Sequence, residues 1–347
     1  MRIYLGTVLA HFLNQKPDYK YKVLVRKQDK AKLLNEIKNV EAIIGDNNDD
    51  KVIQDVVKVS DIVIHTSNSA DDLPSTKSII EGLLLRKQQD KSNPIYLHVS
   101  GTGELVADSK GKNDIVDTYS DNDSEHINSL PITAIHRDVD TYLLKYSDQL
   151  NIHIIEPSLI WGQANHDLVK RGISNKYSDI LPKLARTALQ RKQVGFIGSG
   201  ENIWPNVEIN ERVWNKYCKG LILLANIWVV IVAELFVLIL DAAVNGKIVS
   251  DSKGSYFFGA NDHHYFKDVL KKLAENFSEH GIGKDSPDQL SDEEVKKYFG
   301  GYYIGSSGRA IATRSKSLGW NPKLGTKDLL IDLKDLSESI LKDKNVI

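Results

Sequence analysis

Short apolar runs, most of them rich in β-branched residues, alternate with amphipathic stretches through the first half of the chain. Residues 3–5, 22–25, 42–44, 61–65 and 95–100 read as strands, each ending near a polar or glycine residue. Between them, 30–37, 52–59 and 75–85 space their apolar residues three and four apart, which gathers those residues on one helix face. Ser75 or Thr76 is placed to cap the third of these helices. Such alternation predicts βαβ units, and hence an α/β fold with a mostly parallel, doubly wound sheet covered by helices.

The rhythm then breaks. Residues 107–128 are polar and acidic, too long and hydrophilic for a tight connection, and predict a mobile surface loop of the kind that flanks active sites. A helix over 135–146 and a buried strand over 152–155 lead to EPSLIWG at 156–162. Beyond it the pattern is less regular: a helix over 180–190, the glycine-rich GFIGSGENIWPNVEIN at 195–210, a helix over 266–277 and SLGWNPK at 317–323. These features divide the chain into residues 1–160 and a mainly substrate-binding part, 161–347, whose elements interleave with the first.

One segment departs from both patterns. Residues 221–240 (LILLANIWVVIVAELFVLIL) have the length and apolarity of a membrane span, with Glu234 as the only charge. Three readings compete: a span, an extra buried helix, or a foreign insertion over about 212–234 joined to a helix beginning near Leu235. The sequence favours the insertion, because a span would separate GSGENIWPN from LGWNP, which must pack on one body.

Composition narrows the partners. Lys plus Arg (45) balances Asp plus Glu (46) for a net charge of -1, so no global field draws the chain to nucleic acid or an anionic membrane. Small molecules are the expected partners, with a homodimer left open. The single cysteine, Cys218, cannot form an internal disulfide, and the first residues lack the order of a signal peptide, which suits the cytoplasm. His263 and His264 have no cysteine or carboxylate framework at zinc-like spacing, so no metal is expected and both read as surface histidines.

Several landmarks occur in a familiar order: VLVR (23–26), IIGD (43–46), VIHT (63–66), HVSGTG (98–103), EPSLIWG (156–162), GSGENIWPNVEIN (198–210) and SLGWNPK (317–323). Jointly they cover most of the chain, and the chain resembles the extended short-chain dehydrogenase/reductases, the NAD(P)-dependent epimerase/dehydratase group. The resemblance implies a Rossmann-type sheet with a smaller C-terminal α/β substrate-binding part. It also implies an oxidoreductase or epimerase-like activity on a small carbonyl compound or a sugar nucleotide, with reduction of an aldehyde or ketone preferred.

The cofactor side of the pattern is damaged. A dinucleotide's pyrophosphate needs close backbone approach at a glycine-rich turn, and the family shows TGxTGxIG after its first strand. Here RIYLG runs straight into TVLAHFL, leaving Gly6 as the sole glycine, so weak or lost cofactor affinity is expected. Arg26 and Lys27 follow the second strand, where a cation accepts a 2′-phosphate and favours NADP over NAD; they also read as solvated charges at a helix start. By resemblance Asp46 and Asn47 meet the adenine, His65 and Thr66 lie under the nicotinamide ribose, and Pro157 and Ser158 belong to the turn beside the cofactor. An ordinary turn and a buried, hydrogen-bonded histidine explain Asp46, Asn47 and His65 equally well.

The catalytic side departs as well. The family pairs a tyrosine with a lysine four residues on, and steadies the same substrate oxygen with a serine or threonine. Ser100 and Thr102 match the latter, but no such tyrosine–lysine pair exists. His136 and Asp140 stand at the corresponding positions: histidine exchanges a proton near neutral pH, and an aspartate one turn away can orient it. The competing reading is a solvated helix start, and Tyr119 in the polar loop is another candidate donor. Trp161, Asn202 and Trp204 resemble substrate-side positions, or else ordinary core packing. A non-catalytic dinucleotide-binding regulator and a membrane-anchored protein are the alternatives to an enzyme.

Overall fold

The computed structural model describes residues 3–90, 93–113, 116–209 and 231–343. Helix α1 (Ile3–Gln15) buries Val8, Leu9 and Phe12, the stripe of a core-facing helix. The strand expected over 3–5 is instead the first turn of this helix. A strand there would have to reverse into a helix at Thr7 through Gly6 alone, and such connections take about two to six residues. Gly6 stays helical, at a cost of ~1 kcal/mol relative to alanine.

Strict alternation follows through β1 (Tyr21–Val25), α2 (Gln28–Asn35), β2 (Val40–Ile44), α3 (Asp50–Val57), β3 (Ile62–His65), α4 (Leu73–Asp90) and β4 (Ile95–Val99). The next stretch holds β5 (Thr118–Ser120), α5 (Ser124–Asn128), α6 (Arg137–Leu144) and β6 (Asn151–Pro157). The described residues of 107–128 are therefore not a mobile surface loop. Tyr119 is buried and stacked on His126, and Asp121 is fully buried, because β5 pairs with a strand nearly two hundred positions away.

The remainder runs through β7 (Leu159–Trp161), α7 (Asp167–Lys170), α8 (Ile180–Arg191), β8 (Gly195–Phe196) and β9 (Ile203–Glu208). It resumes with α9 (Ile231–Val244), β10 (Tyr256–Gly259), β11 (Asp262–Tyr265), α10 (Phe266–Ser278), β12 (Asp288–Gln289) and α11 (Asp292–Phe299). Last come β13 (Arg309–Ile311), α12 (Thr313–Ser317) and α13 (Thr326–Asp343).

The main sheet is parallel, in the order β10-β6-β4-β3, and β1 pairs in parallel with β2 as a separate sheet. This is the Rossmann-type α/β architecture, but divided. In a doubly wound sheet β1 and β3 would flank one central strand; among the described residues no strand lies between them, and both edges line one cleft of about 1920 Å³. Burial records the gap: every residue of β4 and β6 is buried, whereas Ile62, Val63 and Ile64 of β3 are only half-buried.

A second core gathers Trp161, Trp204, Phe266 and Phe277 with apolar residues of α8, α10 and α13, beside the mixed sheet β11-β9-β7. His263 and His264 lie on β11 within this region and are not surface residues. His264 is buried with Nδ1 3.3 Å from Asn206 Nδ2, and the half-buried His263 accepts the Ala310 amide at 3.2 Å.

The first half of the apolar run and most of the expected insertion over 212–234 lie outside the described residues. The described part belongs to α9, whose Ile231, Val232, Leu235, Phe236, Ile239 and Leu240 are buried in the main core. Trp320 Nε1 donates to the Ile231 carbonyl at 2.8 Å, tying the SLGWNPK segment to the start of this helix. Among the described residues no helix is long and apolar enough to cross a membrane.

Candidate active site

The cleft collects residues from the ends of three strands. Arg26 and Lys27 stand exposed after β1, Asp46 and Asn47 after β2, and His65 and Thr66 at the end of β3; all six line it. Asn47 Nδ2 is already committed, donating to the Ser67 carbonyl at 2.6 Å and Asp72 Oδ2 at 2.7 Å. Asp46 Oδ1 accepts the Asn48 amide at 2.8 Å, the local bond of an aspartate turn. Burial holds His65 neutral, its pKa lowered to about 4, with Nδ1 3.3 Å from Tyr96 Oη. Thr66 Oγ1 is buried without a hydrogen-bond partner among the described residues.

These residues form one wall of the cleft, but a pyrophosphate cradle is another matter. A cradle needs free amides at a glycine turn between strand and helix. Gly6 lies buried inside α1, and no strand precedes that helix among the described residues. The described residues therefore do not fit a pyrophosphate.

A second cluster lies at the carboxyl end of β4. Ser100 Oγ donates to Asp140 Oδ2 at 2.5 Å, and both side chains are buried. His136 is the N-cap of α6, with φ +70°, and its Nδ1 donates to Asp71 Oδ1 at 2.6 Å. The carboxylate that orients His136 is thus Asp71, from the turn after β3, while Asp140 faces inward to Ser100. His136 Nε2 points toward the Thr102 turn: a Cβ on Gly103 would sit 3.1 Å from it and 2.8 Å from Tyr303 Oη. With its Nδ1 proton committed to Asp71, the neutral ring presents Nε2 as an acceptor, and the charged ring presents it as a donor.

The other expected site residues are placed differently. Pro157 borders the Ser100 turn, its carbonyl 3.8 Å from where a Cβ on Gly101 would lie. Ser158 Oγ donates to the Gly259 carbonyl at 2.8 Å. Asn202 Nδ2 donates to the Ile304 and Ser306 carbonyls at 2.9 and 3.0 Å, Trp204 Nε1 to Ser306 at 2.7 Å and Trp161 Nε1 to Asn206 Oδ1 at 3.0 Å. Those three side chains are buried with these donors satisfied by the protein. Asp71, Tyr303 and Glu104 join the Ser100 region without any motif to announce them, and Glu156 joins it from EPSLIWG, where its residue type suggested no role.

No protein-family model matches the chain, and no curated protein does. Solved structures do. A dTDP-glucose 4,6-dehydratase from Bacillus anthracis, in complex with NAD, matches 99% of this chain and 96% of its own at 14% identity and a TM-score of 0.60. A UDP-glucuronic acid 4-epimerase from Bacillus cereus, with UDP-glucuronic acid and NAD, covers 97% of this chain and 96% of its own at 12% identity and a TM-score of 0.59. A UDP-glucose 4-epimerase from Thermotoga maritima, with UDP-glucose, covers 98% and 96% at 13% identity and a TM-score of 0.57. At such identities the likeness is one of fold: the chain shares the Rossmann-type α/β fold of these dehydratase and epimerase structures.

Proposed function

We propose that this chain is an oxidoreductase or epimerase-like enzyme for a carbonyl compound or sugar nucleotide, working with a nicotinamide dinucleotide whose seat is incomplete here. The observation that carries the reading is the convergence of Ser100 and the Asp71-oriented His136 at the carboxyl end of β4, where open α/β sheets bind ligands. In this reading Ser100 and Thr102 hold the substrate oxygen, and His136 Nε2 exchanges a proton with it. Arg26 and Lys27, exposed at the cleft rim, support a preference for NADP, and reduction of a small aldehyde or ketone is the favoured subclass. The dinucleotide would supply hydride chemistry. The ligands held by the similar structures, NAD and UDP-sugars, support the same classes.

Calorimetric titration of NADH and NADPH tests this on two proteins: this chain, and one with a strand and glycine-rich turn restored ahead of Thr7. Binding by the restored protein, tighter for NADPH, is expected, with little or none by the chain as it stands. A well-folded restored protein that binds neither nucleotide would sink the assignment. The missing cradle also favours a second reading, a non-catalytic regulator on the same fold, and carbonyl turnover lost on His136→Ala would count against it.

A further inference from the structure

Behind Ser100 lies a set of carboxyl groups that the proposed reaction leaves unused. Asp140 on α6, Glu104 in the short turn after β4 and Glu156 on β6 are all buried, at 0–1% exposure. Glu104 is within hydrogen-bonding reach of both Asp140 and Glu156. Neither oxygen of Glu104 or Glu156, nor Asp140 Oδ1, receives a hydrogen bond from an amide or hydroxyl of the described residues. His98 Nε2, fully buried and unpartnered, faces Asp140 Oδ1 at 3.7 Å.

One guanidinium faces this group: Arg137 Nη1, 3.8 Å from Glu104 Oε2 and itself donating to Tyr256 Oη at 3.1 Å. The other titratable groups around it are His136, Tyr119, Tyr256 and Asp121, with Tyr96 and His65 beyond His98. Burial first, and the neighbouring carboxyls next, push Glu104 and Glu156 well above the ordinary carboxylate range, and burial raises Asp140. Three touching carboxylates against one guanidinium would leave two uncompensated charges in a dry interior. A carboxyl–carboxyl hydrogen bond also requires a proton of its own.

We propose that Asp140, Glu104 and Glu156 are a proton store behind Ser100, sharing two protons among three carboxyl groups and delivering one through Asp140 to the Ser100 hydroxyl. This rests on the reading of Ser100 as the substrate-facing hydroxyl. On this route, an alternative to His136 as the donor, a bound substrate oxygen that gains negative charge draws the Ser100 O–H away from Asp140, and the Ser100 O–H breaks as the substrate O–H forms. The contact with Asp140 then runs in reverse: Ser100 takes the proton of a protonated Asp140, and Asp140 takes that of Glu104, so the store falls by one proton, which solvent later returns. Glu104 and Glu156 are positioning residues, acting only through Asp140 and Ser100.

Infrared difference spectroscopy of the protein alone tests the store, since ordinary aspartates and glutamates are fully ionised at about pH 8. The intact protein should show the carbonyl stretch of protonated carboxyl groups, shifting in heavy water. Glu104→Gln and Glu156→Gln should each cut that band to about half, because two carboxyls facing one guanidinium keep one proton. No acid band in the intact protein, or a band undiminished in both folded variants, would overturn the proposal; if neither variant folds, the intact spectrum decides. The measurement uses no cofactor or substrate, so it stands apart from the nucleotide titration that tests the function.

Discussion

Four donors converge on Asp121, a residue in the middle of the most hydrophilic stretch of the chain. Its carboxylate accepts the Phe258 amide at 3.0 Å, the Arg314 amide at 2.7 Å, and the Ser315 amide and hydroxyl, each at 3.0 Å. Asp121→Ala would leave several buried donors unpaired and should cost ~3–5 kcal/mol, read as a lower urea midpoint; a loss below ~1 kcal/mol would mean that water replaces the carboxylate. No local pattern shows this role, because all four donors come from residues more than a hundred positions away. The same blindness affects His136. Sequence spacing offers Asp140 as its partner one helical turn on, whereas the carboxylate that reaches it is Asp71, 65 positions earlier. Residue types at the site were legible, since Ser100, His136 and Asp140 do come together; which of them touch was not.

Element by element, periodicity located what repeats and missed what depends on neighbours. The helices read over 52–59 and 75–85 are α3 and α4, displaced by a few residues at their ends, because an apolar stripe marks a helix's face better than its termini. Residues 3–5 carry no such information: an apolar tripeptide suits strand or helix alike, and the missing turn after it decides for helix. Where α3 meets α4, Gly82 permits an approach that no stripe encodes. A Cβ there would lie 2.8 Å from both Cβ and Cγ1 of Val57, atoms too close to the backbone to swing away. Alanine gains ~1 kcal/mol of helix propensity over glycine, and overpacking costs ~1–3 kcal/mol. Gly82→Ala should therefore lower the denaturation midpoint, whereas a rise would show that the two helices separate freely.

At the scale of the molecule, the divided sheet and the buried ionisable groups both follow from how one fold closes around residues it does not fully pair. The sequence signalled the first through the absent glycine turn; the second was illegible, because burial of a histidine depends on the assembled core. His65 and His153 are held neutral by burial with pKa values near 4, and His264 near 3, against an ordinary 6.5. A folded-state value below the unfolded one means the stability is fully present above about pH 6.5 and is lost as pH falls through the lowered values. Glu104 and Glu156 have the opposite sign: raised above an ordinary 4.5, their contribution is complete below that value and fades as pH rises through the raised folded values. Between about 6.5 and 4.5 the two sets act in opposite directions: as pH falls each of the three histidines should weaken the fold by on the order of 1 kcal/mol or more, and the raised carboxyls offset part of that loss. Urea unfolding across this range measures it directly. His153→Gln, which keeps a donor for Ser255 without a titrating ring, should lessen the loss of stability toward acid, and an unchanged pH dependence in that variant would mean that the ring finds a proton acceptor in the folded state.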